Sequence, residues 1–378
     1  MFPLHGIRIL ESAHQYPGPY CSLLLADLGA EVIKVERPGI GDLSRQAAHF
    51  FQSINGNKKS LTLDLKLPSA RNILYRLVER SDVFMEGFRP DVAGRIGIDY
   101  PSLKTVNPRL IYCSISGYGQ EGPYKNLPGH DLNYLSMAGM MYCFQDESEN
   151  FILPGVAIGD LSSGMFAAIG ILAALQARQR TGEGQFIDVS MFDGLLSWMT
   201  TRMGILWGTG SFERERDAGY GVFQAKDGLF FSLAIAHEDW FWDRLCSTVG
   251  LPEYQGIKAV ERRKRRPELR EKLQKAFLGK SREEWLKIIT QADVPIAPIQ
   301  TPEEIEKDPH VLFRRMVQEI SLPGGEKIKQ VGSPFKMSAM PDRQRTPPPQ
   351  LGEHTEEILK SLGYNGDEVD QFRREGAI

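Results

Sequence analysis

Cysteine is scarce in this chain. The four present, Cys21, Cys113, Cys143 and Cys246, form no C-x-x-C pair. A zinc site or a disulfide framework therefore has no starting point, and free thiols in a reducing compartment are expected. Net charge is nearly absent too: 45 basic against 48 acidic side chains leave −3, too little for a global field that draws nucleic acid or an anionic membrane. Long hydrophobic runs are missing. His5, Arg8 and Glu11 interrupt the stretch where a signal peptide would need its apolar core. The longest apolar run, residues 165–175, is shorter than a bilayer span and reads as a buried core helix. These absences point to a cytoplasmic protein with no nucleic-acid or membrane partner. No internal repeat is visible, and the first βα turn carries no G-x-G-x-x-G. The one literal match, Gly117-Tyr118-Gly119-Gln120-Glu121-Gly122, comes later. Pro123 and Pro128 behind it predict a loop, whereas the dinucleotide fingerprint must open a helix.

What is present is the composition of a globular protein, 42% hydrophobic and 25% charged over 378 residues, long enough that two domains are expected. Residues 6–11, 31–35, 60–65, 83–86, 110–116 and 186–189 read as strands, and 20–28, 69–79 and 165–178 as helices. This alternation predicts an α/β fold with a parallel sheet, whose ligands gather at the carboxyl ends of the strands. His14, Gln15 and Tyr16 fall at that end of the first strand, and Arg37 at that end of the second. Pro17-Gly18-Pro19 reads as a break before the first helix.

The texture changes after residue 209. Residues 209–221 read as a polar linker, and Lys226-Asp227-Gly228 between two apolar runs is a hairpin signal. Antiparallel pairing marks a second, smaller α+β domain over 215–325. Residues 1–200 then form the N-terminal part of a large domain, to which 335–378 returns. Ser281-Arg282-Glu283-Glu284 is a capping box that launches a helix. The five basic residues 262–266 read as a solvated face, a phosphate site being the alternative. Residues 295–298 and 341–349, rich in proline, read as extended connectors, and the last helices begin near Thr355 and Asp367.

Two glycine-flanked segments carry the candidate chemistry: Gly129-His130-Asp131-Leu132-Asn133-Tyr134 and, thirty positions on, Gly159-Asp160-Leu161-Ser162-Ser163-Gly164. The second opens the apolar helix. A histidine and a carboxylate beside a helix N-terminus can do acid–base work on a carbonyl compound, since imidazole exchanges protons near neutral pH and helix N–H groups favour negative charge. The alternatives are structural: Asp160 or Ser162 as an N-cap, His130 as a satisfied core histidine. Tyr134, Met137, Met140 and Met141 either line an apolar pocket or pack in the core.

These residues, with Leu4-His5-Gly6-Ile7-Arg8-Ile9-Leu10-Glu11, Asp27-Leu28-Gly29-Ala30-Glu31-Val32-Ile33-Lys34-Val35-Glu36, Asn57-Lys58-Lys59-Ser60-Leu61-Thr62-Leu63-Asp64-Leu65-Lys66, Thr181-Gly182-Glu183-Gly184-Gln185 and Leu351-Gly352-Glu353-His354-Thr355, carry a family resemblance over nearly the whole chain. The chain resembles the class III CoA-transferase family (CaiB/BaiF type), which also contains the α-methylacyl-CoA racemases. The resemblance implies a Rossmann-like large domain without a nicotinamide cofactor, a small domain, and an interlocked homodimer in which each chain threads through its partner. It implies no tightly bound cofactor. Coenzyme A enters as part of an acyl-CoA thioester, lying in the large domain with its acyl end against the partner's small domain. Arg37, Leu63, Lys66, Gly87, Phe88 and Arg95 fall at CoA-contact positions, with Gln15 and Tyr16 beside them. Arg and Lys suit the phosphates of CoA.

The resemblance also implies two chemistries on Asp160. In the transferases the matching aspartate attacks the donor thioester and later carries CoA as an aspartyl thioester. In the racemases it works with a histidine matching His130 on opposite faces of the α-carbon, one removing and one returning a proton through an enolate. Asp131 orients His130 or assists Asp160. N–H groups of Leu161 and Ser162 would hold the oxyanion, and Ser162, Ser163 and Gly164 would let the thioester approach. The segment around His130 looks like the racemases. Ala292-Asp293-Val294-Pro295-Ile296-Ala297-Pro298 and Gly332-Ser333-Pro334 look like the transferases. Glu238 is the candidate for the small-domain glutamate that racemases use as an accessory group. The reading is racemase-type proton transfer, with CoA transfer as the alternative.

Overall fold

The protein is known here from a computed structural model that describes all residues except 147 and 213–215. The expected linker at 209–221 thus lies partly outside the described residues. The chain divides into two units, Met1–Thr201 with Arg314–Ile378, and Arg202–Phe313.

The first unit is built on β1 (Arg8–Ser12), β2 (Glu31–Glu36), β3 (Lys58–Thr62), β4 (Val83–Glu86), β5 (Ile111–Ser116) and β6 (Phe186–Ser190), which pair in the order β3-β2-β1-β4-β5-β6. Every pairing is parallel. The order reverses between β1 and β4, and in open α/β sheets ligands bind in the crevice outside the strand ends at that switch. Its helices are α1 (Pro17–Asp27), α2 (Ala48–Ile54), α3 (Pro68–Val78), α4 (Val92–Arg95), α5 (Tyr100–Val106), α6 (Asp131–Met137), α7 (Ile158–Thr181), α8 (Met191–Trp198) and the start of α9 (Thr200–Thr209). On one face of the sheet Leu10, Ile33, Leu61, Phe84 and Tyr112 pack with Ile73, Leu74 and Leu77 of α3. On the other, α1 and α7 pack together.

Two sequence readings change here. Pro17-Gly18-Pro19 does not break the chain but forms the first turn of α1. Proline's missing N–H falls among the orphan donors of a helix start, and its fixed φ suits the helix. Helix α7 is longer than the apolar run it was read from, with 24 residues. By length and composition it could cross a membrane, yet half of its most apolar window is buried inside the protein. Arg178, within it, is buried and bonded to Asp82 at 2.7 Å. It serves as a core helix of this unit.

In the second unit β7 (Tyr220–Gln224) and β8 (Phe230–Ala234) form the expected antiparallel hairpin, joined by β9 (Ile296–Pro298). Residues 296–298 are therefore an edge strand, where proline is tolerated, and not a connector. Helices α10 (Asp239–Val249), α11 (Ala259–Lys264), α12 (Arg266–Phe277), α13 (Arg282–Gln291), α14 (Pro302–Ile305) and α15 (Pro309–Phe313) follow. The capping box on Ser281 and Glu284 starts α13. Phe277 is the hub of this core, edge-on to Phe231 at 4.9 Å and to Trp285 at 5.4 Å. The basic run is not simply a solvated face. Arg262 is fully buried and bonded to Asp217 and Asp239, both at 2.7 Å.

The chain then returns to the first unit as β10 (Val317–Ser321), β11 (Lys327–Val331), α16 (Thr355–Ser361) and α17 (Gly366–Arg374). The β10–β11 hairpin goes with this unit because Gln330 donates to the Gln52 carbonyl at 2.5 Å and Arg345, bonded to Val331 O, pairs with buried Asp27.

A buried ion cluster ties this first unit together. Lys34 Nζ reaches Glu11 at 2.7 Å, Asp42 at 2.8 Å and the Ala13 carbonyl at 2.9 Å. Lys58 Nζ reaches Glu11 at 3.0 Å, and Arg45 grips Glu36 with two bonds of 2.7 Å. Removing one partner leaves a desolvated charge unpaired. Lys34→Met is expected to cost about 3–5 kcal/mol, read from urea unfolding midpoints; an unshifted midpoint would show that the pairing contributes nothing.

Candidate active site

Residues 117–185, between β5 and β6, carry both glycine-flanked segments. Helix α7 starts at Ile158, and its N-cap, Ala157, has no side chain to offer. Asp160 is the third helical residue, so neither it nor Ser162 is the cap. Asp131, from α6, takes that role: its Oδ1 accepts from Gly159 N at 2.6 Å and Asp160 N at 3.1 Å. Gly159 has to be glycine for this, since a Cβ there would lie 2.9 Å from Asp131 Oδ1. The expected oxyanion donors are thereby lost. Leu161 N donates to the Ala157 carbonyl at 3.1 Å, and Ser162 lies one residue deeper in the helix.

The segment 129–134 closes on itself. His130 is the N-cap of α6; its N–H donates to Asn133 Oδ1 at 3.0 Å and its carbonyl accepts from Asn133 N at 2.8 Å. Tyr134 Oη donates back to the Gly129 carbonyl at 2.6 Å. The Tyr134 ring lies between Gly117 and Gly129, where added Cβ atoms would meet it at 2.5 and 2.7 Å, and edge-on to Tyr118 at 5.1 Å. The Gly117-Tyr118-Gly119 glycine is thus a packing requirement and opens no helix. His130 itself is exposed and is no core histidine. Among the described residues no hydrogen bond or ion pair joins its ring to Asp131 or Asp160. The two segments meet through Asp131, the residue after His130, which caps the helix of Asp160. Met140 and Met141 are buried in the core, and Met137 is exposed.

Electrostatics mark Asp160. Burial, and then the charge of Asp131, push its carboxyl up to about 7. Tyr134, near enough to feel Asp160, is pushed up to about 12, first by burial. Tyr16 is raised by burial and then by Asp160.

The expected CoA-contact residues line up along the carboxyl edge of the sheet: Gln15 and Tyr16 after β1, Arg37 after β2, Leu63 and Lys66 after β3, Gly87 and Phe88 after β4, and Arg95 in α4. Arg37, Lys66 and Arg95 are exposed. Leu63 is buried in the core, so its side chain does not reach a ligand there. Beneath Gly87 and Phe88 lies Glu86, buried and pushed up to about 7, its Oε2 accepting from Phe88 N at 2.6 Å. No sequence signal marked it. A cavity of about 790 Å³ opens at the opposite, amino ends of β1–β3, lined by Arg8, Glu31 and Lys59, away from this edge. Glu238 belongs to the second unit, where its carboxylate accepts from Ala236 N at 3.0 Å and His237 N at 3.1 Å and ties down that turn.

Residues 4–355 match the family model "CoA-transferase family III". The chain is 33% identical over 402 residues to succinyl-CoA:glutarate CoA-transferase from Mus musculus, covering all of this chain and 91% of that protein. It is also 33% identical over 387 residues to α-methylacyl-CoA racemase from Homo sapiens, covering 99% and 97%. A CaiB/BaiF family protein from Brucella suis has the same fold, with a TM-score of 0.86 and 30% identity over 95% of this chain and 99% of that one.

Asp131→Asn separates capping from charge, because the amide keeps an acceptor oxygen for Gly159. Loss of the repelling charge should move the Asp160 midpoint below about 7, while burial keeps it above the ordinary 3.8. Carbon NMR titration of labelled aspartate reads both; an unmoved midpoint would show that burial alone sets it.

Proposed function

Because the chain belongs to CoA-transferase family III, matched from residue 4 to residue 355, we propose that it is an acyl-CoA enzyme whose reaction is racemase-type 1,1-proton transfer at the α-carbon of a 2-methylacyl-CoA. The observation that carries this reading is the His130–Asp131 segment docked on the first turn of α7, with an Asp160 carboxyl near 7. A group that titrates near the working pH can both take and return a proton. A nucleophilic aspartate has the opposite need, to stay ionised before it attacks.

In this reading one of the pair breaks the α C–H bond and keeps the proton. The electron pair passes to the thioester oxygen as an enolate. The other group then protonates the opposite face, and inversion follows. Asp131 holds Asp160 in place through the first turn of α7. CoA would lie along the carboxyl edge of the sheet, its phosphates toward Arg37, Lys66 and Arg95. CoA transfer through an aspartyl thioester on Asp160 is the second reading, favoured by the transferase-like segments at 292–298 and 332–334 and by the equal identity to the mouse transferase.

The same proposal includes a homodimer, interlocked as the family resemblance implies. Met165, Ile169 and Leu172 of α7 and Leu196 and Trp198 of α8 leave apolar surface exposed in the first unit, which a partner subunit would cover. Light scattering should give twice the chain mass; a stable monomer would remove this part.

In heavy water, with no acceptor acid, a single enantiomer of a 2-methylacyl-CoA should gain deuterium at the α-carbon and lose optical purity. Asp160→Ala and His130→Ala should each slow this by about 10²–10⁴-fold. An inert α-carbon, with CoA passing from succinyl-CoA to a carboxylic acid and hydroxylamine trapping an acyl group on Asp160, would replace this reading by the transferase one.

A further inference from the structure

Both chemistries open to Asp160 put negative charge on the thioester oxygen, and the helix donors that would meet it are already engaged. Gly159 and Asp160 N–H are bound by Asp131, and Leu161 N–H by Ala157. A donor has to come from elsewhere. We propose that the Tyr16 hydroxyl is that donor, a catalytic residue that hydrogen-bonds the thioester oxygen as its charge develops. This rests on the acyl-CoA reading and holds for either of its chemistries.

Packing puts Tyr16 in position. It is the N-cap of α1, and the next residue, Pro17, turns its carbonyl against Gly164: a Cβ on Gly164 would meet Pro17 O at 2.7 Å and Tyr20 Cδ1 at 3.1 Å. Gly164 is one turn beyond Asp160 on the same face of α7, since residues four apart are neighbours on a helix. The start of α1 therefore runs beside the Asp160 carboxyl. Asp160 and Asp131 both act on the Tyr16 phenol and, after burial, keep it protonated, as a donor must be.

The hydroxyl is also held still and left free. Its ring stands edge-on to Phe50 at 5.0 Å. Its carbonyl accepts from Tyr20 N at 2.9 Å. The residue before it, Gln15, sits in the left-handed region at φ 65°, strained for a side chain of that kind, and is kept there by Asp42, which accepts its N–H at 3.0 Å. No described residue hydrogen-bonds the Tyr16 hydroxyl. A donor fixed before the reaction begins needs no reorganisation during it, which is where oxyanion donors gain their effect.

The chemistry of the group fits its neighbour. A lysine or arginine here would stabilise the oxyanion but also hold Asp160 ionised. A neutral phenol donates without adding a positive charge. In proton transfer, the α C–H bond breaks, its proton goes to the base and its electron pair moves onto the thioester oxygen. In CoA transfer, an Asp160 oxygen adds to the carbonyl carbon and the C=O pair moves onto the same oxygen. In each case Tyr16 shares its proton and keeps it, and the bond relaxes when the pair returns.

Tyr16→Phe removes one oxygen and keeps the ring on Phe50. With the full-length protein, α-deuterium exchange, or CoA transfer if that proves to be its chemistry, should fall about 10²–10³-fold in kcat, the usual cost of one such donor. KM should change by less than about threefold, because the interaction forms only as charge develops. A CoA thioether, which lacks the carbonyl, should bind wild type and variant alike, and the melting temperature should be unchanged. A variant with kcat within about threefold of wild type overturns the inference alone. So does an equal loss of thioether affinity, which would mark Tyr16 as a packing residue. A wild-type enzyme that neither exchanges the α-hydrogen nor transfers CoA overturns the acyl-CoA reading, and this inference with it.

Discussion

The buried charges on β1, β2, β3 and the loop after β2 are the constraint on which the first unit depends. Glu11, Glu36 and Asp42 meet Lys34, Lys58 and Arg45, and all but Arg45 are almost wholly buried. Desolvated charges persist only when fully partnered. Here each has more than one partner: Ser22 also bonds Glu11 at 2.6 Å, and Ser60 bonds Glu36 at 2.6 Å. The two lysines differ for a reason that geometry supplies. Lys34 has Glu11, Asp42 and Glu36 around it and is raised, whereas Lys58 shares Glu11, is repelled by Lys34 and, with burial dominant, falls to about 8. What the cluster fixes matters more than what it adds. Asp42 holds the strained turn at Gln15. Arg45 takes the Pro349 carbonyl at 3.1 Å and Ser60 the Gly352 N–H at 2.9 Å, which fastens the returning C-terminal chain.

Periodicity makes the sheet legible because strands buried on both faces are written as continuous apolar runs, and β4 is recovered to the residue. The family membership is legible in the same way, as local motifs. The ion cluster is not. Glu11, Lys34 and Glu36 interrupt apolar strands in the way that exposed residues do, and only the register that sets Glu11 against Lys34 shows that they meet. Arg262 hides similarly, one fully buried guanidinium in a run of five basic residues whose others are half-buried or exposed. The order of the strands, with its switch between β1 and β4, also lies outside any local pattern.

The candidate site shows the same division. His130, Asp131 and Asp160 stand out by residue type and by the glycines beside them. Their relation does not. The apolar run places the start of α7 too late because Ile158 and Gly159 precede it, and the cap comes from a residue nearly thirty positions earlier. No local cap signal could reveal that. Gly117 stands out within a literal G-x-G-x-x-G and Gly129 beside His130, but only the Tyr134 ring in its place gives the two a common meaning.

That distant cap bears directly on the chemistry. A carboxylate in the first turn of a helix is ordinarily stabilised there by the helix dipole and by free N–H groups, which lower its pKa. Asp160 occupies that position and yet stands near 7. Burial is the larger cause, and Asp131 adds to it twice over. It takes the N–H groups of Gly159 and Asp160 for itself, and its own charge repels the neighbouring carboxylate. Among the described residues no cation lies within bonding distance to offset the cost of burial. The helix N-terminus is thus used as a mount and not as an anion hole. In the proposed chemistry, an acid placed so is weak enough to exchange protons at neutral pH, and the task of meeting an oxyanion falls to a neutral group outside the helix. The strained turn that the ion cluster holds in place ends at such a group.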